Sequence, residues 1–593
     1  MKRLKNNILY AAIALAIASP ALTSCEDLFG GFLDKQPSNE LTEEQTFSDW
    51  NTATQFHNDT YNFLRHGAAR VGNTWLDSAT DLGENSFSGG TKLSFNIGNY
   101  YSGDGWAELT ATWEHYYRGI RKCNMVLEKL DGVPKNPSDS DADYERKKMN
   151  IKAEARFFRA YFYWEMFLRY GPIPIVTEVL DPDGDLLTGY TTRPTVKQYV
   201  VDFVMKELAE CEAGLRVYDK GSTDVEINTN QGYINKPIAS ALYSRIALYM
   251  ASPRYSGESG VTWGQALAAS QTFIDTYGSL YSLYTSGDAT NSAYTYAILN
   301  TAYNGGNTET IFFRNDVTRG WSAISVDTPV GEGGRGGLCP SQNLVDMYDM
   351  ADGSSPFAQY DATGAPVYGG GASAPAINSA SGYSDAAMWA NRDPRLASTI
   401  LYQGQQWGSG VINVISGQRD NPIGNANSTP TGYYVRKYIP QSILDNTHTG
   451  TGYRNWIFMR YAEVLLNYAE AMNEVSGPGQ EVYDALDQIR HRAGITGNVA
   501  DRTDLATKEA MRNFIHKERT VELCFEEHRP WDVRRWNVAR EALARPIYGI
   551  DVTAAGAIVR KVSQQRVFED RMYLYPIPEA EEWKTNIENN EGW

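Results

Sequence analysis

Between Ala153 and Tyr170 apolar residues recur at helical spacing. Ala153, Phe157, Ala160, Tyr161, Trp164 and Leu168 mark one face, and Phe158, Phe162 and Phe167 make the other side apolar too. That pattern predicts a helix covered all round. Gly171-Pro172 ends it, because proline has no amide with which to extend the ladder. Similar periodicity predicts helices over 43–65, 106–130, 195–213, 237–251 and 263–276. Trp113 lies with Tyr117 and Ile120 at helical spacing and is assigned to the core. The periodicity returns late in the chain. From Trp456 to Glu474, Arg460, Glu463, Asn467, Glu470 and Glu474 recur every three or four residues, leaving Val464, Leu465, Tyr468 and Met472 among the apolar remainder. The polar stripe is narrow, so most of this helix is expected to be covered. Helices over 481–493 and 506–528 follow, with Gly494 where a C-terminal cap belongs.

From about 280 to 455 the texture changes to Gly, Ser, Asn and Tyr with few periodic runs. Gly369-Gly370-Gly371 and Asn425 to Thr431 read as loops. A long irregular stretch inside a compact protein usually carries function. The start of the chain has another purpose. Lys2, Arg3 and Lys5 precede the apolar run Ile8 to Ala18, which has the length of a signal-peptide core and is too short to span a bilayer. Leu22-Thr23-Ser24-Cys25 then resembles the lipobox of bacterial lipoproteins, in which the cysteine thiol takes a diacylglycerol after cleavage. The expected organisation is a signal peptide over 1–24, a lipidated tether over 25–42 and a single domain over 43–593.

Charge narrows the partners. The chain has 54 Lys+Arg against 71 Asp+Glu, a net −17. Removing residues 1–24 takes away three positive charges and no acid, which brings it to −20. A nucleic-acid binder needs a basic groove to displace counterions, so no nucleic-acid partner is expected. With 38 Tyr, 20 Phe and 14 Trp the chain is far from disordered composition and suits neutral ligands. Cys123, Cys211, Cys339 and Cys524 are scattered without a CxxC pair, so small buried hydrophobes are expected rather than a zinc site.

The sequence holds no catalytic constellation. Glu526, Glu527 and Asp532 lie near His528, but glycosidase carboxylates flank their substrate from separate elements, and these share one. Glu518, Glu522 and Glu526 repeat every four residues, with Arg519, Arg529, Arg534 and Arg535 at hand, which predicts an ion-pair network. Gly331-Glu332-Gly333-Gly334-Arg335-Gly336 satisfies GxGxxG without a clear preceding strand and is expected to be a flexible loop. The histidines form no HxH or HExxH pair, and neither a GxSxG elbow nor a Walker loop is present. No cofactor is expected.

Several motifs nevertheless fall in a recognisable order. Arg156-Phe157-Phe158-Arg159-Ala160-Tyr161 leads into Tyr170-Gly171-Pro172-Ile173-Pro174. Arg460 to Ala471 follows, with Ile489-Arg490-His491-Arg492-Ala493-Gly494 close behind. Glu518-Arg519, Glu522-Leu523, Phe525 to Arg529 and Asp532 to Trp536 form a third block, and Tyr575-Pro576-Ile577-Pro578 and Asn589 to Trp593 close the chain. Together with Cys25, Leu33-Asp34 and Pro37, these resemble the signatures of SusD/RagB-type outer-membrane lipoproteins from end to end. The resemblance implies a mostly helical SusD-like fold, with tetratricopeptide-like helix pairs supporting an irregular ligand-binding face. It further implies a non-enzymatic lipoprotein, anchored in the outer membrane through Cys25 and facing the exterior. Such a protein binds oligosaccharide and caps a SusC-like TonB-dependent transporter. Two alternatives stay open: a peptide-binding relative, and a structural lid with little ligand binding of its own.

Sugar binding needs flat apolar faces for pyranose C–H surfaces, flanked by amides, carboxylates or arginine. Aromatics outside the periodic faces, with polar neighbours, are the candidates. They are Asn73, Trp75, Asp77 and Trp106 in the first half, and Tyr294, Tyr296, Arg319, Trp321 and Trp407 in the loop-rich region.

Overall fold

The computed structural model describes residues 42–593, apart from 73, 88, 107, 182, 185–188, 219–231, 301–306, 315–318, 370–372, 445–447 and 453–454. The leader, Cys25, nearly all of the expected tether and Asn73 lie outside the described residues. The chain is mostly helical. The principal helices are α1 (Trp50–Asn58), α2 (Thr110–Lys129), α3 (Asp141–Tyr170), α4 (Lys206–Glu212), α5 (Lys236–Ala251), α6 (Trp263–Tyr277), α7 (Tyr461–Ser476), α8 (Gln480–Ala493), α9 (Lys508–Glu522) and α10 (Arg529–Arg535). Neighbours pack as pairs: α2 on α3, α5 on α6, and α7 on both α8 and α9. No helix among the described residues is long and apolar enough to cross a membrane.

Helix α3 starts at Asp141 rather than Ala153. Ser140 caps it, its hydroxyl accepting from the Asp143 amide at 3.1 Å, and Asp141 and Asp143 complement the positive end of the helix dipole. The first turns are solvated and carry no apolar rhythm, so periodicity alone could not detect them. From Asn150 onward nearly every residue is buried. The helix stops at Gly171 (φ 71), whose amide donates to the Phe167 carbonyl at 2.9 Å. Gly494 (φ 97) takes the left-handed cap after α8, as its position predicts. Expected helix 43–65 is broken into Glu43–Thr46, α1 and a 3-10 turn at Asp59–Phe63, with Asp49 capping α1.

Two helix assignments need correction. Trp456–Arg460 is a strand, not the first turn of a helix; it pairs antiparallel with Thr310–Arg314. The run Trp456-Ile457-Phe458-Met459 is apolar at every position and buried at every position, a pattern that belongs to a covered strand as readily as to a helix. The helix over 506–528 ends at Glu522. Phe525 and Glu527 both adopt φ 63, which bends the chain so that Glu526 turns inward. Most of α7 is covered as expected, but its polar stripe is covered too, by ion pairs and a hydrogen bond. Arg245 pairs with Glu463, Arg519 donates to Asn467 Oδ1 at 2.7 Å, and Arg535 pairs with Glu470 at 2.6 Å.

The network read from Glu518, Glu522 and Glu526 exists, with other partners. Glu518 pairs with Arg395 (2.6 Å) and Arg490 (2.8 Å). Glu522 takes Arg395, Arg460 and Arg492; Glu526 takes Arg460 (2.8 Å) and Lys437 (2.7 Å). Burial alone would raise the pKa of Glu522, but Arg492, Arg460 and Arg395 outweigh it and hold the carboxyl well below the usual range. Of the arginines adjacent in sequence, Arg519 and Arg535 share Asp532, Arg529 pairs with Asp81, and Arg534 donates to backbone carbonyls. These charges sit inside the molecule and join the terminal helices to the loop-rich region.

That region, 280–455, consists of short helices such as Ala293–Leu299 and Gln342–Met347, joined by two-stranded ribbons. The four described cysteines are free and buried, with burial pushing the Cys123 and Cys211 thiols up to about 12.

Candidate ligand-binding site

A minimal ribbon sets the site. Strand β1 (Arg319–Gly320) pairs antiparallel with β2 (Thr451–Gly452). Trp321, the residue after β1, is thereby placed beside His448, three residues before β2. Their ring centroids lie 4.4 Å apart with planes tilted by 42°. Both residues are half-exposed. His448 adopts φ 48, a left-handed conformation uncommon for a side chain of its size.

Glu332 lies beneath this pair and ties three loops together. Its buried carboxylate accepts from the Ser409 amide at 3.0 Å and from the Ser409 hydroxyl, pairs with Arg419, and lies 3.2 Å from His448 Nε2. The glycine at 408 is required here: φ is +56, and a Cβ would sit 2.5 Å from the Glu332 carboxylate. Asp420 braces the same loops, accepting from the amides of Asn413 (2.8 Å) and Gly331 (3.2 Å), and burial raises its pKa. The segment 331–336 is therefore not a free loop. Val330–Glu332 is one 3-10 turn, Gly333 (φ 78) closes it, and a strand at Leu338–Pro340 follows, so no dinucleotide fold surrounds the glycines.

Among the sequence candidates, Trp321 alone reaches the surface within this cluster with a second ring against it. Trp75 is 1% exposed and is a core strut. Its indole donates to Asp327 Oδ1 at 2.9 Å, and its ring packs on Trp456 and Tyr438, so it supports the Trp321 turn from below instead of meeting a ligand. Asp77 is fully buried and accepts from the Glu527 amide at 3.3 Å. Tyr294 belongs to the ionic core: it is 1% exposed, donates to the Glu522 carbonyl at 2.9 Å, and accepts from Lys437 Nζ at 2.8 Å. Trp407 is 3% exposed, with the Arg436 guanidinium 5.0 Å above its ring, and serves as the base of the hairpin that presents Gly408 to Glu332. Trp75 and Trp407 thus pack beneath the segments that carry them, whereas Tyr294 lies on the helix Ala293–Leu299 and not in the expected loop.

Trp106 is half-buried against Tyr100 (6.1 Å), whose ring also meets the C-terminal Trp593 (5.0 Å); no contact joins it to Trp321. Tyr296 lies on the short helix Ala293–Leu299 and not in the expected loop; it is half-buried and donates to Asp288 in the segment before that helix. Arg319 lies in β1, two residues before Trp321.

Glu332, Ser409, Arg419 and His448 escape sequence reasoning because they come from three loops separated by scores of residues, and only the glycines around them hint at close approach. The result is a half-exposed pair of rings on a rigid base. Through Ser409, Arg419 and His448, Glu332 organises the loops. Among the described residues no group of three His, Cys, Asp or Glu side chains is placed to hold a metal ion.

Comparison with known proteins agrees with this architecture. The family model described as the SusD family matches residues 284–593, and one described as starch-binding associating with outer membrane matches 31–217. The chain is 22% identical to SusD-like protein P38 of Formosa agariphila over 563 residues, covering 93% of this chain and 95% of that protein. A crystal structure of a SusD-like protein from Bacteroides fragilis superposes with a TM-score of 0.74 at 24% identity, covering 94% of this chain and all of the other. A laminarin-binding SusD-like protein superposes with a TM-score of 0.57 at 22% identity, covering 92% and 100%. With more than half of its length matched by that family's model, the chain belongs to the SusD family.

Proposed function

We propose that this protein binds neutral oligosaccharide on the face formed by Trp321 and His448 and passes it to a SusC-like TonB-dependent transporter in the outer membrane, without cleaving it. In this reading the acyl chains on Cys25 hold the protein at the membrane and on its outer side, since more than one chain is needed for stable anchoring. The observation that carries the proposal is the half-exposed Trp321–His448 pair fixed over the Glu332 hub. Flat rings held rigidly offer the C–H faces of a sugar a stacking surface at little entropic cost. Family membership and the laminarin-binding neighbour favour a glycan over other neutral ligands.

Isothermal titration of the mature chain against laminarin, starch, xylan and a peptide digest tests this. The expected result is weak, salt-insensitive binding to at least one glycan, lost in Trp321→Ala, because neutral contacts are not screened. Binding to peptide alone would replace the glycan reading by a peptide-importing one. Glycan uptake that persists in cells carrying Trp321→Ala would favour a structural lid.

A further inference from the structure

Where α9 begins, it encloses with two loops a cavity of about 620 Å³ that shares no residue with the Trp321 cluster. This lies within the size range of small-molecule sites. The first loop is held onto the helix by Asn513 Nδ2, which donates to the Tyr360 carbonyl at 3.3 Å, and by His516 Nδ1, 2.7 Å from the Ala362 carbonyl. Gly364 (φ +79) permits that approach, since a Cβ there would fall 2.5 Å from the Lys517 amide nitrogen.

The cations lining the cavity are already matched. Lys517 donates to Asp349 and, at 3.2 Å, to Ser355 Oγ. Arg502 donates to Asp504 at 2.6 Å, to Ser355 Oγ at 3.0 Å and to the Gly353 carbonyl at 2.8 Å. An anion entering here would find no unpaired cation and would meet the carboxylates of Asp504 and Glu509, both exposed. Apart from the Glu509 carboxylate, what remains open is neutral. The Gln359 amide is exposed, Asn513 Oδ1 accepts no bond among the described residues, and the Thr507 hydroxyl, which accepts from the Ala510 amide at 3.1 Å, keeps its proton to donate. Phe357, Tyr360 and Phe514 supply apolar wall beside these groups. Planar amides and a hydroxyl next to aromatic carbon, with both cations paired, match a neutral polyhydroxylated molecule.

We propose that this cavity is a second saccharide site, taking one or two units of a neutral glycan independently of the Trp321 face. Two separate sites on one chain would raise its retention of a polymer without strengthening either contact.

Saturation-transfer NMR on the mature chain, with maltose, cellobiose, laminaribiose and digalacturonate as probes, tests the assignment. Ala510→Phe fills the cavity, Gln359→Ala with Asn513→Ala trims its polar wall, and Trp321→Ala removes the other face; thermal midpoints verify folding. At least one neutral disaccharide is expected to bind Trp321→Ala, to lose binding when Ala510→Phe is added, and to bind about threefold to tenfold more weakly when the two amides are removed, the worth of one or two neutral hydrogen bonds. If Ala510→Phe does not fold, the amide pair alone gives the reading. The proposal is overturned if no neutral disaccharide binds Trp321→Ala, if neither cavity variant weakens binding, or if digalacturonate alone binds. Failure of the Trp321 site has a different signature: polysaccharide binding unchanged by Trp321→Ala.

Discussion

Asp77 provides a sharp test of whether the first-half candidates are scaffold or ligand contacts. Its carboxyl is fully buried. Desolvation, and then the charge of Glu527, raise its pKa from 3.8 to about 7, although the Glu527 amide donates to it and Lys437 is near. Glu527 is held by Arg70 through bonds of 2.6 and 3.0 Å. A raised carboxyl pKa means that the folded state retains a proton the unfolded state has released. Below about pH 3.8 both states are protonated and Asp77 carries no penalty. Between there and about pH 7 stability falls as pH rises, and above pH 7 the full cost of keeping this group applies. The rise from 3.8 to about 7 is worth about 4 kcal/mol, at about 1.36 kcal/mol for each tenfold change in proton affinity. Asp77→Asn removes the ionisation while keeping an acceptor for the Glu527 amide. It is therefore expected to stabilise the protein at pH 8 by up to about 4 kcal/mol, about 3 °C in Tm for a chain of this length, and to have little effect near pH 4. Denaturant unfolding of both proteins from pH 4 to 9 measures the difference, in which other titrations cancel. Parallel stability curves would refute the argument. Loss of glycan binding in Asp77→Asn with unchanged stability would return Asp77 to the ligand-binding surface.

Other consequences follow from the same contacts. Glu522→Gln leaves Arg395, Arg460 and Arg492 short of one buried charge and should cost about 3–5 kcal/mol in denaturant unfolding; a loss under 1 kcal/mol would mean the network is redundant there. The depressed Glu522 pKa also predicts that its stabilisation is present above the ordinary carboxylate range and is lost as pH falls into strong acid. Gly408→Ala forces a Cβ against Glu332 in a left-handed backbone, and should weaken glycan binding while costing about 1–3 kcal/mol; unchanged titration isotherms would detach Glu332 from the site. Trp75→Phe removes the indole donor to Asp327, an expected loss of about 0.5–1.5 kcal/mol by thermal unfolding for one hydrogen bond.

The scaffold was legible because its signals are local. A helix whose every side is apolar, such as Phe157 to Phe167, has few ways to be satisfied except by burial, and Gly171 and Gly494 stop their helices for reasons that each residue carries alone. Where the reading missed, two local patterns were degenerate. Trp456 to Met459 is apolar at every position, and no periodicity separates a covered strand from a covered helix; its partner, Thr310–Arg314, decided it from far away in sequence. The repeat of Glu518, Glu522 and Glu526 announced ion pairing, yet the nearby arginines were committed elsewhere, and the partners came from Arg395, Arg460, Arg490 and Arg492, which no spacing identifies. The site is harder still. A tryptophan in an irregular segment has the same local sequence whether it faces solvent, like Trp321, or supports the loop from beneath, like Trp75 and Trp407. What distinguishes them is which side of a loop the rest of the chain covers. For Trp321 that is settled by a ribbon of two residue pairs and one carboxylate shared among three loops. The family's shared signatures lie in the helices and the ionic core, where packing restricts each choice. A ligand face assembled from loops is under no such restriction, so ligand preference can change among relatives while the scaffold stays recognisable.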